Sequence, residues 1–321
     1  MANDVLVVAE HLAGKLTDTT FELLGKAVQL AGASGGQAVA LLLGAPELAG
    51  ELGAADLVIT CDHPALAHFT AEAYEAAVAA VLAERQPRLV LLSTTTAGLD
   101  LAGSLSVAWD APLVSYVVGL DADGDTVVAT AQIYGGKMLA EVAVESVRTI
   151  CAVTAGSFPA AAGRRDNPAA AVEAFAGPPS LDAVRSTFVE LVEPDAGDVD
   201  ITAADLLVSV GRGIGSRDNL ELVEELAGAL GAPLAASRPV TDLGWLPKTR
   251  QVGKSGLKVK PRAYLAFGIS GAPEHLEGMS GAELIIACNT DARAPIFDVA
   301  HYGTTLDLFD LVPELSQQVG A

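Results

Sequence analysis

Between Ser237 and His275 the chain reads SRPVTDLGWLPKTRQVGKSGLKVKPRAYLAFGISGAPEH, and here the residue types that could do chemistry crowd together. Arg238, Lys248, Arg250, Lys254, Lys258, Lys260 and Arg262 stand against Asp242 and Glu274, inside a chain whose net charge is −21. Gly244, Gly253, Gly256, Gly268 and Gly271 punctuate the same stretch, and glycine lets backbone amides come close to a ligand. Cations and amides gathered within an acidic protein suit an anionic ligand, most simply a phosphate-bearing cofactor. A basic surface loop would carry the same charges.

Two motifs sharpen the question. DLLVSVGRGIG (205–215) runs an apolar strand into Gly211, Gly213 and Gly215, and a helix is expected from Asp218 to Leu230 with Leu222, Leu226 and Leu230 on one face. Strand, glycines and helix in that order can seat a pyrophosphate at a helix N-terminus. The spacing is G-x-G-x-G rather than G-x-G-x-x-G, and no acidic residue follows a second strand to hold a ribose. Gly253-Lys254-Ser255 resembles the end of a phosphate-binding G-x-x-x-x-G-K-S loop, yet the preceding glycine is Gly244 and Pro261 breaks the helix such a loop would lead into. A nucleoside triphosphatase is therefore not expected. A tight loop offering the Ser255 hydroxyl and nearby amides to a ring edge needs no such spacing.

The elements that position these residues can be read around them. Asp4–Glu10, GQAVALLLG (36–44), ADLVITCD (55–62) and PRLVLLST (87–94) are compact apolar strands, separated by helices at Thr19–Ala31 and Leu66–Arg85. Continuous apolar strands alternating with helices predict a parallel sheet covered on both faces. The loop STTTAGLDLAGSLSVAWDAPLVSYV (93–117) follows the fourth strand, and its Ser/Thr cluster is expected to cap a helix. From Pro112 to Thr154 the pattern turns to β, with a hairpin at DADGD (121–125), so antiparallel strands are expected beside the first sheet. Residues 159–183 read as a loop or linker, and STFVELVEP (186–194) as one more strand. RAYLAFG (262–268) and ELIIACN (283–289) are strands of a second domain, which ends in a helix at Thr304–Val312. The fold class expected is α/β: an N-terminal parallel-sheet domain with appended antiparallel strands over residues 1–197, then a doubly wound Rossmann-like domain over 198–321.

Composition bounds the function. The chain has 321 residues, 51% of them hydrophobic and 5% aromatic, enough for two cores built mostly of Ala, Val and Leu. A sequence pI near 4.4 argues against a broad nucleic-acid-binding face. Cys61, Cys151 and Cys288 lie in apolar runs without metal or C-x-x-C spacing and are expected to be buried thiols. The N-terminus lacks a basic leader, and no apolar run reaches the roughly 18 residues needed to span a bilayer. A soluble, cytoplasmic protein is expected.

Six motifs in order, VGRGIGSRDN (210–219), ASRPVTDLGWLP (236–247), QVGKSG (251–256), GISGAPEHLEGM (268–279), IIACNTDARAPIF (285–297) and YGTTLDLFDLVPEL (302–315), closely resemble the C-terminal signature of the electron transfer flavoprotein alpha subunit family. The N-terminal half resembles the family more weakly. The resemblance implies FAD held mainly by residues 198–321, with Arg238 over the ring, Ser255 (usually Thr in the family) near N5, and His275 facing the C2 carbonyl. A cation there favours the reduced ring, and Arg238 and His275 are the expected suppliers. By the same resemblance Arg212, Gly213, Ser237, Gln251, Val252, Gly253, Lys254, Gly268, Ile269, Ser270, Gly271, Ala272, Asn289, Thr290, Asp307 and Leu308 line the ribityl, phosphate and adenine parts.

Departures from the family pattern are specific. Lys254 replaces the usual Gln, and its charge would raise the flavin's potential if it points at the ring. His301 stands where Asp is common and could make adenine binding or docking sensitive to pH. Gly103-Ser104 replaces a Pro-Arg pair, and Thr154-Ala155 takes the place of an arginine that precedes Pro-Gly. The resemblance further implies a heterodimer with a beta subunit, the N-terminal domain docking the partner. It implies electrons accepted from flavin dehydrogenases, typically the acyl-CoA dehydrogenases of fatty acid beta-oxidation, and passed to a membrane quinone reductase. No nucleophile or general base is evident, as suits a carrier. The alternatives are an NADH-linked electron-bifurcating pair, or a stand-alone NAD- or nucleotide-binding regulatory protein with His275 as its one plausible base.

Overall fold

The computed structural model describes residues 3–123, 126–165, 171–191 and 198–320, arranged in two compact units, Met1–Glu190 and Leu191–Ala321. The domain boundary expected at 197/198 borders residues 192–197, which lie outside the described residues, as does part of the hairpin turn expected at 121–125.

In the first unit β1 (Val5–Val8) leads through a two-stranded ribbon, β2 (His11–Leu12) and β3 (Lys15–Leu16), to helix α1 (Asp18–Ser34). Thr17 caps α1 by accepting from the Thr20 amide. β4 (Ala38–Leu43), β5 (Leu57–Cys61), α2 (Ala71–Arg85), β6 (Leu89–Ser93) and α3 (Thr96–Ala108) continue the alternation. β7 (Leu113–Asp123), β8 (Thr126–Ile133), β9 (Met138–Val144), β10 (Thr149–Val153) and β11 (Ala171–Ala174) complete a nine-stranded sheet ordered β11-β5-β4-β1-β6-β10-β7-β8-β9. The central strands are buried along their whole length, as parallel strands between two helical layers must be.

Three expectations need correction here. β10 is no antiparallel appendage: it inserts between β6 and β7 and runs parallel to both, while β7, β8 and β9 pair antiparallel. Its residues are apolar or threonine and all are buried, which fits a central strand; β8 alternates between buried and half-buried positions, which fits a sheet with one covered face. The stretch expected as loop over 159–183 contains β11, which takes the sheet edge beside β5. That edge being filled, Ser186–Leu191 forms no strand, and residues 192–194 of the expected segment lie outside the described residues. The Arg185 and Ser186 amides donate to the Glu72 carboxylate, and Phe188 stacks on His68 with centroids 3.7 Å apart.

The hydroxyl-rich loop after β6 caps a helix, as expected: Thr95 Oγ1 accepts from the Gly98 amide at 3.1 Å at the start of α3. The same hydroxyl lies 2.7 Å from Glu10 Oε1, and Ser93 also donates to this carboxylate. The hydroxyls nearest the carboxyl end of β6 are thus turned onto Glu10.

The second unit is a five-stranded parallel sheet ordered β13-β12-β14-β15-β16. Its elements are β12 (Leu206–Val210), α4 (Leu220–Ala229), β13 (Leu234–Ala236), α5 (Arg238–Asp242), β14 (Ala263–Phe267), α6 (Pro273–Met279), β15 (Leu284–Cys288), β16 (Tyr302–Thr304) and α7 (Leu308–Val319). α4 buries Leu220, Val223, Leu226 and Ala227, whereas Leu222 and Leu230 flank that face half-buried. Each fully buried Leu or Val contributes about 1.5–3 kcal/mol. The last helix begins at Leu308 rather than Thr304, because Tyr302–Thr304 pairs with β15 and Asp307 accepts from the Phe309 amide as N-cap.

Candidate functional site

In the sheet of the second unit, β13 lies on one side of β12 and β14 on the other. Between β12 and β14 the connections leave in opposite directions, so their carboxyl ends open a crevice, the usual ligand site of such sheets. The Gly211–Gly215 loop follows β12 and the Gly268–Ala272 loop follows β14, and they pack backbone to backbone. The Gly213 amide donates to the Gly268 carbonyl at 3.1 Å. A Cβ on Gly213 would sit 2.7 Å from Gly268 Cα, and Gly268 itself has φ +63°. Glycine is required on both loops for this approach.

The loop carrying Gln251–Ser255 closes the crevice from another side. The Val252 amide donates to the Ala236 carbonyl, extending the sheet edge, and the Lys254 amide donates to the Glu274 carbonyl at 2.7 Å. Gly253 adopts φ +139°, and a side chain there would meet the Glu274 carbonyl at 2.9 Å. This loop therefore lies flat against the start of α6.

The result is a cleft of about 810 Å³ contained in the second unit. Arg212, Gly213, Ser237, Arg238, Gln251, Val252, Gly253, Lys254, Ser255, Gly268, Ile269, Ser270, Ala272, His275 and Asn289, all expected from sequence, line it together. Pro239 and Glu274, not among the residues expected at the site, also line it. Gly271, Thr290, Asp307 and Leu308 do not form part of this lining. Gly271 packs its backbone on Ile296, Thr290 is exposed just past β15, Asp307 caps α7, and Leu308 is buried in the core with Val210, Phe267 and Cys288.

Charge in the cleft differs from expectation at one point. His275 is 6% exposed, with Nε2 3.0 Å from the Tyr264 hydroxyl. Burial pushes its imidazole down to about 4, against a smaller opposing pull from the Val252 carbonyl. His275 is neutral at neutral pH and supplies no cation. Its Nδ1 is buried without a well-aligned hydrogen bond. The same burial pushes the Tyr264 hydroxyl up, with Ser209 moderating the effect, so the Tyr264 proton is retained. The cations of the cleft are Arg212, Arg238 and Lys254. Arg238 Nε lies 3.1 Å from Asp242 Oδ2 in an exposed pair, an arrangement worth at most about 1 kcal/mol and easily exchanged for a ligand's anion.

Two polar residues serve the frame. Asn289 Nδ2 donates to the Ile269 carbonyl at 2.9 Å and its Oδ1 accepts from the Asp291 amide at 3.0 Å, so it braces the loop after β14. His301 is absent from the cleft; its Nδ1 accepts from the Ile285 amide at 3.0 Å, a task an Asp carboxylate could equally perform. Among the described residues no group of His, Cys, Asp or Glu is placed to hold a metal ion, and no helix is long and apolar enough to cross a membrane.

A doubly wound sheet with glycine loops crossing at the strand-order reversal, and cations around the opening, defines a nucleotide-cofactor-binding domain. Comparison with known proteins specifies which. Residues 5–180 match the Electron transfer flavoprotein domain, and residues 200–280 match the Electron transfer flavoprotein FAD-binding domain. The electron transfer flavoprotein subunit alpha of Methylophilus methylotrophus is 36% identical, covering 99% of this chain and 99% of its own. That of Thermoanaerobacterium thermosaccharolyticum is 33% identical over 98% and 97% of the two chains. The lactate dehydrogenase (NAD(+),ferredoxin) subunit LctC of Acetobacterium woodii is 33% identical over 97% of this chain and 75% of its own. The chain belongs to the electron transfer flavoprotein alpha family, whose cofactor is FAD.

The residues present fit that cofactor. Three cations suit a pyrophosphate, glycine loops admit its close approach, and the lining between Val252 and Ile269 is apolar enough for a ring. The neutral His275 completes a wall able to meet a carbonyl-bearing ring without adding charge.

Proposed function

We propose that this chain is the alpha subunit of an electron transfer flavoprotein that holds one FAD in the cleft of its second unit and pairs with a homologous beta subunit. It accepts electrons from flavin dehydrogenases, acyl-CoA dehydrogenases foremost, and delivers them to a membrane quinone reductase from the cytoplasm. The observation that carries this reading is the convergence of Arg212, Arg238, Gln251–Ser255, Gly268–Ser270 and His275 on one cleft. When bound, FAD supplies the electron-accepting ring.

The chain's own residues hold and tune it. Arg212 and Lys254 screen phosphate charge, and Arg238, free to leave its exposed pair with Asp242, adds positive potential beside the ring. Ser255 offers a hydroxyl at the ring edge, and His275, held by Tyr264, fixes the ring from the α6 side. Support for partner docking by the first unit comes from the β8–β9 hairpin, which exposes Tyr134, Met138 and Leu139, large apolar side chains that a partner surface would cover.

A second reading is favoured by the likeness to LctC, whose name couples NAD and ferredoxin. In that case the same cleft serves an electron-bifurcating pair. Mixing the purified pair with an acyl-CoA dehydrogenase and its substrate, or with NADH, separates the two: bleaching by the dehydrogenase alone supports the carrier. Direct bleaching by NADH moves the assignment to bifurcation, and no bleaching by either contradicts both.

A further inference from the structure

Behind the wall of the cleft lies a polar residue that the proposed function does not use. Thr241, on α5, is 5% exposed and is not among the residues lining the cleft. Its hydroxyl lies 2.7 Å from Gln251 Oε1, and Gln251, 4% exposed, extends Nε2 to 3.0 Å from Ser255 Oγ. A buried residue is thereby connected through one amide to a hydroxyl in the cleft.

The bond directions are coupled. An amide oxygen accepts and an amide nitrogen donates. With Thr241 donating to Oε1, Nε2 donates to Ser255 Oγ, and the Ser255 proton is left for whatever occupies the cleft. Turning the amide over reverses this: Ser255 would spend its proton on Oε1 and offer the cleft lone pairs alone. The distances select the first orientation: 2.7 Å on the Thr241 side suits an O–H···O bond, and 3.0 Å on the Ser255 side an N–H···O bond. The Arg238 carbonyl, 3.0 Å from the same hydroxyl oxygen, competes for the hydroxyl's single proton, and the shorter contact to Oε1 holds it. An aliphatic side chain in place of Thr241 would leave Oε1 buried without its donor and remove the preference for this orientation.

We propose that Thr241 is a positioning residue for the flavin: acting through Gln251, it holds Ser255 as a hydrogen-bond donor toward the electron-accepting edge of the ring. This rests on FAD occupying the cleft. A donor at that edge stabilises the ring as negative charge grows on it, so Thr241 raises the tendency of the flavin to be reduced.

The test is a potentiometric titration of the purified pair carrying wild-type chain, Thr241→Val, Thr241→Ser, Ser255→Ala, and Thr241→Val combined with Ser255→Ala. At a fixed potential, Thr241→Val lowers the ratio of reduced to oxidised flavin about fivefold, the loss of roughly one hydrogen bond. Thr241→Ser restores it, and the effect of Thr241→Val vanishes in the Ser255→Ala background. If Thr241→Val yields no folded flavoprotein, Thr241→Ala takes its place, since it needs no space that threonine does not already fill. A wild-type ratio in Thr241→Val, or an effect that persists undiminished without the Ser255 hydroxyl, overturns the proposal. A wild-type pair that carries no FAD overturns the proposed function instead, and the two failures are distinct.

Discussion

At the scale of single residues, burial decides charge in this site. His275 sits on a short helix after a glycine loop, where sequence suggests a half-exposed cation, but Tyr264, eleven positions earlier on β14, receives its ring in the core. Free imidazole takes a proton near 6.5 and this one near 4. Between those values the unfolded chain binds a proton that the folded chain refuses, so stability falls as pH drops through the window and rises with pH. Denaturation of the second unit from pH 7 to pH 4.5 is expected to show roughly 2 kcal/mol of loss that His275→Gln removes; equal pH slopes in both proteins would contradict the burial. Asp198 behaves in the opposite sense. The Arg250 guanidinium, then the Thr249 hydroxyl and the Val199 amide, hold its carboxyl down at about 2, while Arg250 Nη1 also donates to the Leu234 carbonyl. Its contribution is present above about 3.8 and is lost as pH falls toward 2. Asp198→Asn is expected to cost about 1 kcal/mol at pH 7, a cost that shrinks as pH falls through 2, the value being modest because the pair keeps some solvent contact. Clustered glycines and cations made the region of the cleft legible and the family resemblance named its residues; the neutrality of His275 and the proposed role of Thr241 were not legible, because both depend on partners brought in by folding.

At the scale of elements, strand–loop–helix alternation made most of the architecture readable: β1, β4, β5, β6, β12, β14 and β15 are apolar runs bounded by turn residues. What escaped was pairing. A buried apolar run such as TICAV carries no mark of its neighbours, so β10 read as part of a meander although it closes the parallel centre of the sheet. The weakly apolar AVEA of β11 reads as linker until β5 offers it an edge. Near the site, the crossing of the two glycine loops sets the shape of the crevice, and it tolerates no Cβ. Gly213→Ala would drive a methyl to 2.7 Å from Gly268 Cα, backbone that cannot turn aside. Separation of the two loops is expected to cost about 1–3 kcal/mol, as overpacking does, and to lower FAD content markedly. A variant with wild-type thermal stability and full flavin content would show that the loops are not in contact.

For the whole molecule, the two units divide the sequence as the two family matches do, residues 5–180 in the first and 200–280 in the second. The net charge of −21 contrasts with the cluster of Arg212, Arg238 and Lys254, so the cleft offers an anion a local attraction within an acidic chain. One unit carries the cofactor cleft, and the other exposes Tyr134, Met138 and Leu139 on its β8–β9 hairpin. The central claim is that the second unit binds FAD through this cleft. The most direct test is the visible spectrum and flavin content of the full chain purified with its beta subunit, wild type beside Arg238→Ala. The account predicts a yellow protein with one FAD per pair reducible in stepwise anaerobic titration, and a harder-to-reduce flavin once Arg238 is removed. A colourless wild-type pair, or a flavin whose reduction is indifferent to Arg238, would contradict it.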